Sequence, residues 1–425
     1  MELLVLFGTF TFLLLIGTPV AFCLGVASFA TITYLGLPPV VVFQQLNSGM
    51  SVFALMAIPF FIYAGELMVR GDIARRLVAL AGAAVGHLRG GLGQVNITAS
   101  VLFGGISGSA AADASAIGGL MIPQMEERGY DKDYAVNVTV VSSIIALMLP
   151  PSHNLIIYAI AAGGRISIAD LFTAGILPGI ILAAALMITA WIVARKRDYP
   201  TEPFQGGVVL MRIFLNAVPG LILVGIIFGG VRSGIFTASE SSCIAVVYAL
   251  FVTLFAYRTL SWAAFVDATI GAVRTASMVL LVIGCAASFG WLLAYLRVPV
   301  SLAAAMTEMS SNPIVILLVL NLVLLGLGTF MDMSPLIAIT TPIFLPVAVA
   351  VGVDPVHFGI IMILNLGIGL CTPPVGAVLF VGCAVGKVPV GQVIRSIWPF
   401  YGAAVVTLML VTYIPSISLW LPSLF

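Results

Sequence analysis

Residues 103–115 read Phe103-Gly-Gly-Ile-Ser-Gly-Ser-Ala-Ala-Ala-Asp-Ala-Ser115, a polar, glycine-rich tract within an otherwise apolar sequence. The apolar runs on either side, 92–106 and 116–125, are too short as helices to cross a hydrocarbon core of about 30 Å comfortably. Polar backbone at membrane depth is tolerated only where it lines a cavity or is buried in protein. The tract therefore predicts a helical hairpin over 92–125 that enters and leaves the membrane on one side.

The composition of the whole chain points to the same environment. Of its 425 residues, 61% are hydrophobic and 8% are charged, whereas an average soluble domain is about 25% charged. The net charge of +1 gives no broad basic field for nucleic acid. We therefore expect an all-α polytopic membrane protein. Because the sequence carries no phosphate-binding or hydrolase motif, we expect it not to be an enzyme and assign no catalytic residue.

The order of features occurs twice along the chain. The hairpin tract is followed by a double proline in Leu149-Pro-Pro-Ser-His-Asn154, and the second half contains Gly328-Thr-Phe-Met-Asp-Met-Ser-Pro335 followed by Cys371-Thr-Pro-Pro-Val-Gly376. Each half is predicted to hold five crossings and one hairpin. Because five is odd, the second repeat must be inverted relative to the first, an arrangement typical of secondary transporters.

The repeats are predicted over 1–200 and 208–425. Within the first we expect scaffold spans in 3–69, the hairpin at 92–125, a helix broken by its double proline at 134–163 and a span at 171–194. Within the second we expect scaffold spans in 213–296, a hairpin at 312–350, a broken helix at 356–386 and a span at 397–418. Whether 3–36 crosses once or twice depends on a break at Gly17-Thr-Pro19. Amphipathic linkers are predicted at 37–50 and 258–275, lying along the interface.

The basic residues favour one orientation. If the first hairpin opens to the cytoplasm, 14 of the 17 Lys and Arg residues fall inside, and only Arg165, Arg232 and Arg297 fall outside. Positive charge gathers on the cytoplasmic side of membrane proteins. This scheme places both termini in the periplasm.

The two hairpin tips are predicted to bind Na⁺, one site in each repeat. A hard cation prefers several oxygen ligands, which hydroxyls and unwound carbonyls supply. The candidate sodium ligands are Ser107, Gly108, Ser109, Asp113, Pro150, Asn154, Gly328, Thr329, Met331, Asp332 and Thr372. An alternative is that the two aspartates only contribute to helix capping, where Asp113 or Ser115 would cap the returning arm of the first hairpin and Ser334 that of the second.

No Lys or Arg lies in the predicted membrane core, so an anionic substrate would be held by helix N-termini, hydroxyls and bound cations. Four half-helix N-termini converge in this scheme. The candidate substrate-binding residues are Ser115, Ser152, Ser334 and Pro373. The arrangement suits a carboxylate, and a neutral polar solute would fit it as well.

Several stretches together resemble one known family over nearly the full chain. They are Leu15-Ile-Gly-Thr-Pro-Val-Ala-Phe22, Ile58-Pro-Phe-Phe-Ile-Tyr-Ala-Gly-Glu66, Phe103-Gly-Gly-Ile-Ser-Gly-Ser-Ala-Ala-Ala-Asp113, Leu149-Pro-Pro-Ser152 and Pro373-Pro-Val-Gly376. The sequence resembles the large membrane subunit of tripartite ATP-independent periplasmic (TRAP) transporters, the DctM-like permeases.

The resemblance implies a Na⁺-coupled importer of an organic acid in the bacterial inner membrane, with Na⁺ as coupling ion and no organic cofactor. It implies two protein partners, a small four-helix membrane subunit and a periplasmic substrate-binding protein. It also implies an elevator mechanism and a fold like that of the ion-transporter superfamily. C4-dicarboxylates, sialic acid and other sugar or keto acids are all compatible substrates. A stand-alone Na⁺/divalent-carboxylate symporter is the alternative.

Overall fold

The computed structural model describes residues 1–424 except 201, 202, 204, 205, 310 and 311. This described part of the chain consists of helices and short connections, without a β-strand. Residue 425, the predicted end of the second repeat, lies outside the described residues, as does part of the connection between the two repeats. The boundaries 1–200 and 208–425 stay predictions.

Helices of the first half follow the apolar blocks of the sequence. They are α1 (Glu2–Leu15), α2 (Val20–Tyr34), α3 (Val40–Met50), α4 (Ala57–Arg70), α5 (Ile73–Val85), α6 (Gly91–Ser107), α7 (Ala110–Glu127), α8 (Lys132–Ser142), α9 (Ile145–Met148), α10 (His153–Ala161) and α11 (Ile168–Lys196). A 3-10 turn, Phe53–Met56, precedes α4. The pair α6 and α7 forms the first hairpin.

The second half contains helices of similar order. They are α12 (Gly207–Arg232), α13 (Ala238–Phe251), α14 (Trp262–Tyr295), α15 (Val298–Met309), α16 (Pro313–Gly328), α17 (Met333–Ala350), α18 (Pro355–Leu370), α19 (Ala377–Gly386), α20 (Val390–Ser396), α21 (Trp398–Tyr413) and α22 (Ser416–Ser423). The second hairpin is formed by α16 and α17.

The breaks in the helices have local causes. Proline lacks a backbone N–H and cannot continue an interior helical turn, and the chain leaves the helix at Pro150-Pro151 and again at Pro373-Pro374. The first broken helix bends by 51° between its two parts, Lys132–Met148 and His153–Ala161. At the tip of the first hairpin, Gly108 has φ 58°, a left-handed conformation that glycine adopts without steric cost.

The hairpins and broken helices pack together into one unit, which we call the central bundle and which comprises α6–α10 and α16–α19. Helix α19 of the second half packs on α7 of the first, and α10 of the first half packs on α17 of the second. The core therefore mixes both halves of the sequence. Around it lie the outer helices α1–α4 and α12–α14, where α4 contacts α13 and α14, and α3 contacts α14.

The described helices are those of a membrane protein. Six are long and apolar enough to cross a membrane, and counting three bent pairs as spans raises the number to nine. Large apolar side chains such as Phe12, Val208 and Trp262 are exposed on the outer helices, where lipid can cover them. The predicted all-α polytopic fold is confirmed.

The structure differs from the expected layout at 258–275, and it answers the open question of whether 3–36 forms one helix or two. Residues 258–275 do not form a separate interfacial linker, because α14 begins at Trp262 and runs without interruption to Tyr295. The N-terminal stretch forms two helices, α1 and α2, that pack on each other, and Gly17 with φ 87° permits the turn between them. Helix α14 includes residues 262–275 because this stretch contains neither proline nor a turn motif.

Candidate transport site

A cavity of about 460 Å³ lies where the two hairpin tips meet the outer helices. We call it the tip cavity. The first turns of four helices line it, namely Ala110–Ala112 of α7, His153 and Asn154 of α10, Met333 and Ser334 of α17, and Ala377 and Val378 of α19. Each helix N-terminus carries a partial positive charge and unpaired N–H groups. The arrangement is chemically suited to an anion or a polar solute.

Six of the fifteen predicted site residues line the tip cavity. They are Ser107, Ser109, Ser115, Asn154, Asp332 and Ser334. The remaining nine are not among the residues that line it, and these are Gly108, Asp113, Pro150, Ser152, Gly328, Thr329, Met331, Thr372 and Pro373. Residues from both halves of the sequence thus line one cavity, whereas the residues predicted as backbone ligands at the second tip, Gly328, Thr329 and Met331, do not line it.

The first hairpin tip packs tightly against the first helix break. A Cβ built on Gly108 would lie 2.5 Å from the carbonyl oxygen of Pro151 and 3.1 Å from Cα of Ser152. A Cβ on Gly105 would lie 3.3 Å from the carbonyl oxygen of Pro150. The glycines therefore allow the hairpin backbone to approach the carbonyls of the break.

Three buried side-chain oxygens around this contact have no hydrogen-bond partner among the described residues. They are Ser107 Oγ, Ser152 Oγ and Asn154 Oδ1. Leaving such atoms unpaired in a protein interior costs about 1–3 kcal/mol each. Hydroxyl and amide oxygens are ligands that a hard cation accepts, so this set fits Na⁺.

The second tip satisfies more of its own polar groups. The carbonyl oxygen of Thr329 accepts hydrogen bonds from the backbone N–H of Val375 at 3.2 Å and of Gly376 at 3.3 Å. The hydroxyls of Thr329 and Thr372 donate to carbonyls of their own helices, at 2.8 and 2.7 Å. A Cβ on Gly369 would lie 2.7 Å from the backbone of Gly328, so main chain meets main chain at this joint.

The two tip aspartates, both predicted as sodium ligands, do not occupy equivalent positions in their hairpins. Asp113 is fully buried, lies within the first turn of α7 and does not line the tip cavity. Asp332 immediately precedes α17 and lines the cavity. The matching residue in the first hairpin is Ser109, which immediately precedes α7. The sequence spacing agrees with this pairing, because Ser109 lies 41 residues before Pro150 and Asp332 lies 41 residues before Pro373, whereas Asp113 lies only 37 residues before Pro150.

The capping alternative is wrong for the residues to which it was assigned. Ser109, not Asp113 or Ser115, caps α7, because its hydroxyl accepts from the N–H of Ala112 at 3.4 Å. The N-cap of α17 is Asp332 rather than Ser334, and its side chain makes no capping hydrogen bond. Neither aspartate is therefore explained by side-chain capping.

Asp113 instead ends a buried series of hydrogen-bonded side chains that was not predicted from the sequence. Its Oδ2 accepts from Ser100 Oγ at 2.7 Å, and Ser100 lies 3.1 Å from Ser142 Oγ. Ser142 donates to Asn96 Oδ1, and Asn96 donates to Thr139 Oγ1. Asp113 Oδ1 has no partner among the described residues. The sequence did contain an indication of this hydrogen-bonded series, because Asn96 and Ser100 lie four residues apart and therefore on one face of α6.

One charged residue of the cavity wall was missed. Glu66 of α4 lines the tip cavity together with Thr275 of α14, although Glu66 was expected only as part of a family motif. Its carboxylate lies 3.4 Å from Nε of Arg70, and Arg70 reaches Asp267 at 3.6 Å. The outer helices thus present a carboxylate to the space that the hairpin tips enclose.

Comparison with known proteins identifies the family. The family model described as "Tripartite ATP-independent periplasmic transporter, DctM component" matches residues 7–417. The chain is 45% identical to the "Uncharacterized protein YgiK" of Salmonella typhimurium, over all of this chain and 98% of that protein. It is 35% identical to the "C4-dicarboxylate TRAP transporter large permease protein DctM" of Rhodobacter capsulatus, over all of this chain and 99% of that protein.

Further similarity extends to another relative and to a solved structure. The "Sialic acid TRAP transporter large permease protein SiaM" of Vibrio cholerae is 40% identical over 90% of this chain and 89% of that protein. The structure of the Alcanivorax borkumensis YdaH transporter matches with a TM-score of 0.63, covering 93% of this chain and 90% of that one at 12% identity. At that identity the match describes the fold alone. The family match over 7–417 and these full-length relatives show that the chain belongs to the DctM family, the large permease components of TRAP transporters.

Proposed function

We propose that this chain is the permease through which Na⁺ drives the import of an organic acid. The observation that carries the proposal is the tip cavity, lined by the first turns of α7, α10, α17 and α19. Convergent helix N-termini stabilise a carboxylate without a buried lysine or arginine, and none lines this cavity among the described residues. The proposed substrate class is a C4-dicarboxylate, sialic acid or a similar sugar or keto acid, the kinds that the names of relatives mention.

The coupling ion is proposed to bind on the central-bundle side of the cavity. Ser107, Ser109 and Asn154 supply the side-chain oxygens of the first site. The backbone carbonyls of Gly108 and Pro150 are proposed as its further ligands. Asp332 and the tip formed by Gly328, Thr329 and Met331 supply the second site, facing Thr372. Ser115, Ser152, Ser334 and Pro373 are proposed for the substrate. A cation bound beside the four helix N-termini also lowers the cost of bringing a carboxylate into the membrane.

The proposed mechanism is an elevator movement. In it the central bundle carries the site across the membrane against a scaffold made of the outer helices. Two observations support the proposal: the hairpins and broken helices pack more with each other than with the outer helices, and the cavity lies between them and α4 and α14. A rigid body that holds the whole site can move without breaking it.

We propose the bacterial inner membrane, periplasmic termini, a small four-helix membrane subunit and a periplasmic substrate-binding protein. The basic residues support this orientation, because 14 of 17 fall on one side of the predicted topology. Stand-alone symport is the competing arrangement, since residues from both halves of this chain line the tip cavity.

Uptake in proteoliposomes tests the function directly. We expect the chain, reconstituted with its small subunit and binding protein, to accumulate succinate or sialic acid when Na⁺ is outside, and to lose uptake when choline replaces Na⁺. Persistence of full uptake in choline would refute Na⁺ coupling. A second arm omits the two partners, and unchanged uptake by the chain alone would support the stand-alone symporter.

Asp113 gives a sharper prediction for the first ion site. Asp113→Asn keeps an oxygen to accept from Ser100 but removes a negative charge beside the hairpin tip. We expect the Na⁺ concentration for half-maximal uptake to rise about tenfold, which equals about 1.4 kcal/mol. The control is Asp354→Asn, because Asp354 caps α18 through Val356 and His357 and asparagine caps equally well. Equal Na⁺ dependence in both variants would leave Asp113 only its hydrogen-bonding role.

A further inference from the structure

A second cavity lies away from the transport site, between α5 and the base of the first hairpin. Its volume is about 440 Å³. We call it the arginine groove, because Arg75 of α5 and Arg128 after α7 line it together with Gln124. The remaining wall is apolar and is formed by Val78, Ala79, Gly82, Ala83, Gly86, Leu92, Val95, Leu120 and Ile213. No carboxylate is among the described residues that line it.

Helix α5 is suited to lie along the membrane surface. Its buried side chains Ile73, Leu77 and Leu80 recur on one helical face, and arginines flank it at Arg70 and Arg89. It packs on α6 and on α12, so it joins the central bundle to the outer helices. Amphipathic helices with basic polar faces lie at the level of the lipid headgroups.

The two arginines of α5 have different surroundings. The guanidinium of Arg76 lies 3.8 Å from the ring centroid of Tyr257, so it faces the outer helices. Arg75 lies 3.4 Å from Asp72, is 72% exposed and lines the groove. Asp72 pairs with Arg75 without lining the groove, so two guanidinium groups and one carboxamide border the cavity beside an apolar wall.

We propose that the arginine groove binds one anionic phospholipid, with its phosphate at Arg75 and Arg128 and an acyl chain along the apolar wall. Basic pockets between membrane helices bind acidic lipid headgroups, and the nine apolar residues provide what an acyl chain needs and a free phosphate does not. A lipid seated there touches α5, α6 and α7 at once. It therefore joins the interfacial helix to the hairpin that carries the proposed transport site.

Lipid retention tests the proposal. The full chain is exchanged from detergent into nanodiscs of phosphatidylcholine with a minor fraction of phosphatidylglycerol, and bound phosphatidylglycerol is measured by native mass spectrometry. We expect Arg75→Gln/Arg128→Gln to weaken retention by about fivefold for each arginine removed. The matched control is Arg395→Gln, an exposed arginine on the same predicted side that does not line the groove.

A second variant tests the acyl-chain half of the proposal with both arginines present. A Cβ on Gly82 meets no atom within 4 Å, so Gly82→Phe fills the groove without a clash at Cβ. We expect it to lose phosphatidylglycerol while keeping its thermal unfolding temperature in phosphatidylcholine. Equal retention by wild type and by both folded variants would overturn the proposal. Displacement of phosphatidylglycerol by inorganic phosphate alone would also overturn it, because it would identify a simple anion site.

Discussion

Ser107→Ala and Asn154→Ala are each expected to raise the Na⁺ concentration for half-maximal uptake by about tenfold, and the double variant to abolish coupled uptake. Both side chains line the tip cavity, and their buried oxygens have no hydrogen-bond partner among the described residues. An oxygen that the protein leaves unpaired is available to a cation. The measurement is initial uptake over a range of Na⁺ concentrations at saturating substrate.

The matched control for this prediction is Ser143→Ala. Ser143 is buried near the same broken helix, but its hydroxyl already donates to the carbonyl of Val140 at 2.8 Å. Removing it costs about 1 kcal/mol of stability without removing an ion ligand. If Ser107→Ala and Asn154→Ala change Na⁺ dependence no more than Ser143→Ala does, the first ion site lies elsewhere.

Joining the central bundle to α14 is expected to stop transport completely. A Cβ built on Gly290 of α14 lies 3.9 Å from Cγ of Pro342 in α17, within reach of a disulfide after small adjustment. Gly290→Cys/Pro342→Cys, once oxidised, would fix the hairpin to the outer helices. If the bundle moves as a unit, uptake falls to the rate of protein-free vesicles and returns on addition of reductant.

A cross-link within the outer helices provides the comparison. A Cβ on Gly25 of α2 lies 3.4 Å from Sγ of the native Cys285 in α14, so Gly25→Cys alone offers a pair. Oxidation there should leave uptake intact, since neither helix belongs to the central bundle. Full transport by the oxidised Gly290→Cys/Pro342→Cys protein would contradict an elevator movement at this interface.

Features with strong local causes were predictable from the sequence. The double prolines end α9 and α18 close to where the pattern predicted, because proline removes a backbone donor regardless of its surroundings. The glycine at 108 and the short apolar arms likewise indicated the first hairpin. Features that depend on how helices pack were harder to predict. The series of hydrogen-bonded side chains that runs from Asn96 to Asp113 joins residues of α6, α7 and α8. A single polar residue on an apolar helix does not reveal its hydrogen-bond partner.

In the candidate site, too, residues with a local sequence cause were predictable and residues placed by helix packing were not. Ser107, Asn154 and Ser334 were identified because they flank breaks, where backbone and hydroxyl groups are free to face a cavity. Glu66 was missed because its role depends on α4 lying opposite the hairpin tips, a tertiary contact between distant segments. Asp113 was predicted as a ligand at the tip, although it is fully buried and does not line the cavity.

The joint at the second tip is formed by main-chain atoms. Thr329 accepts from the N–H groups of Val375 and Gly376, and Gly328 meets Gly369 backbone to backbone. A contact of this kind does not depend on which side chains stand nearby, provided that the glycines remain. Side chains that face the cavity can therefore be substituted without altering the backbone contact that couples this hairpin to its broken helix.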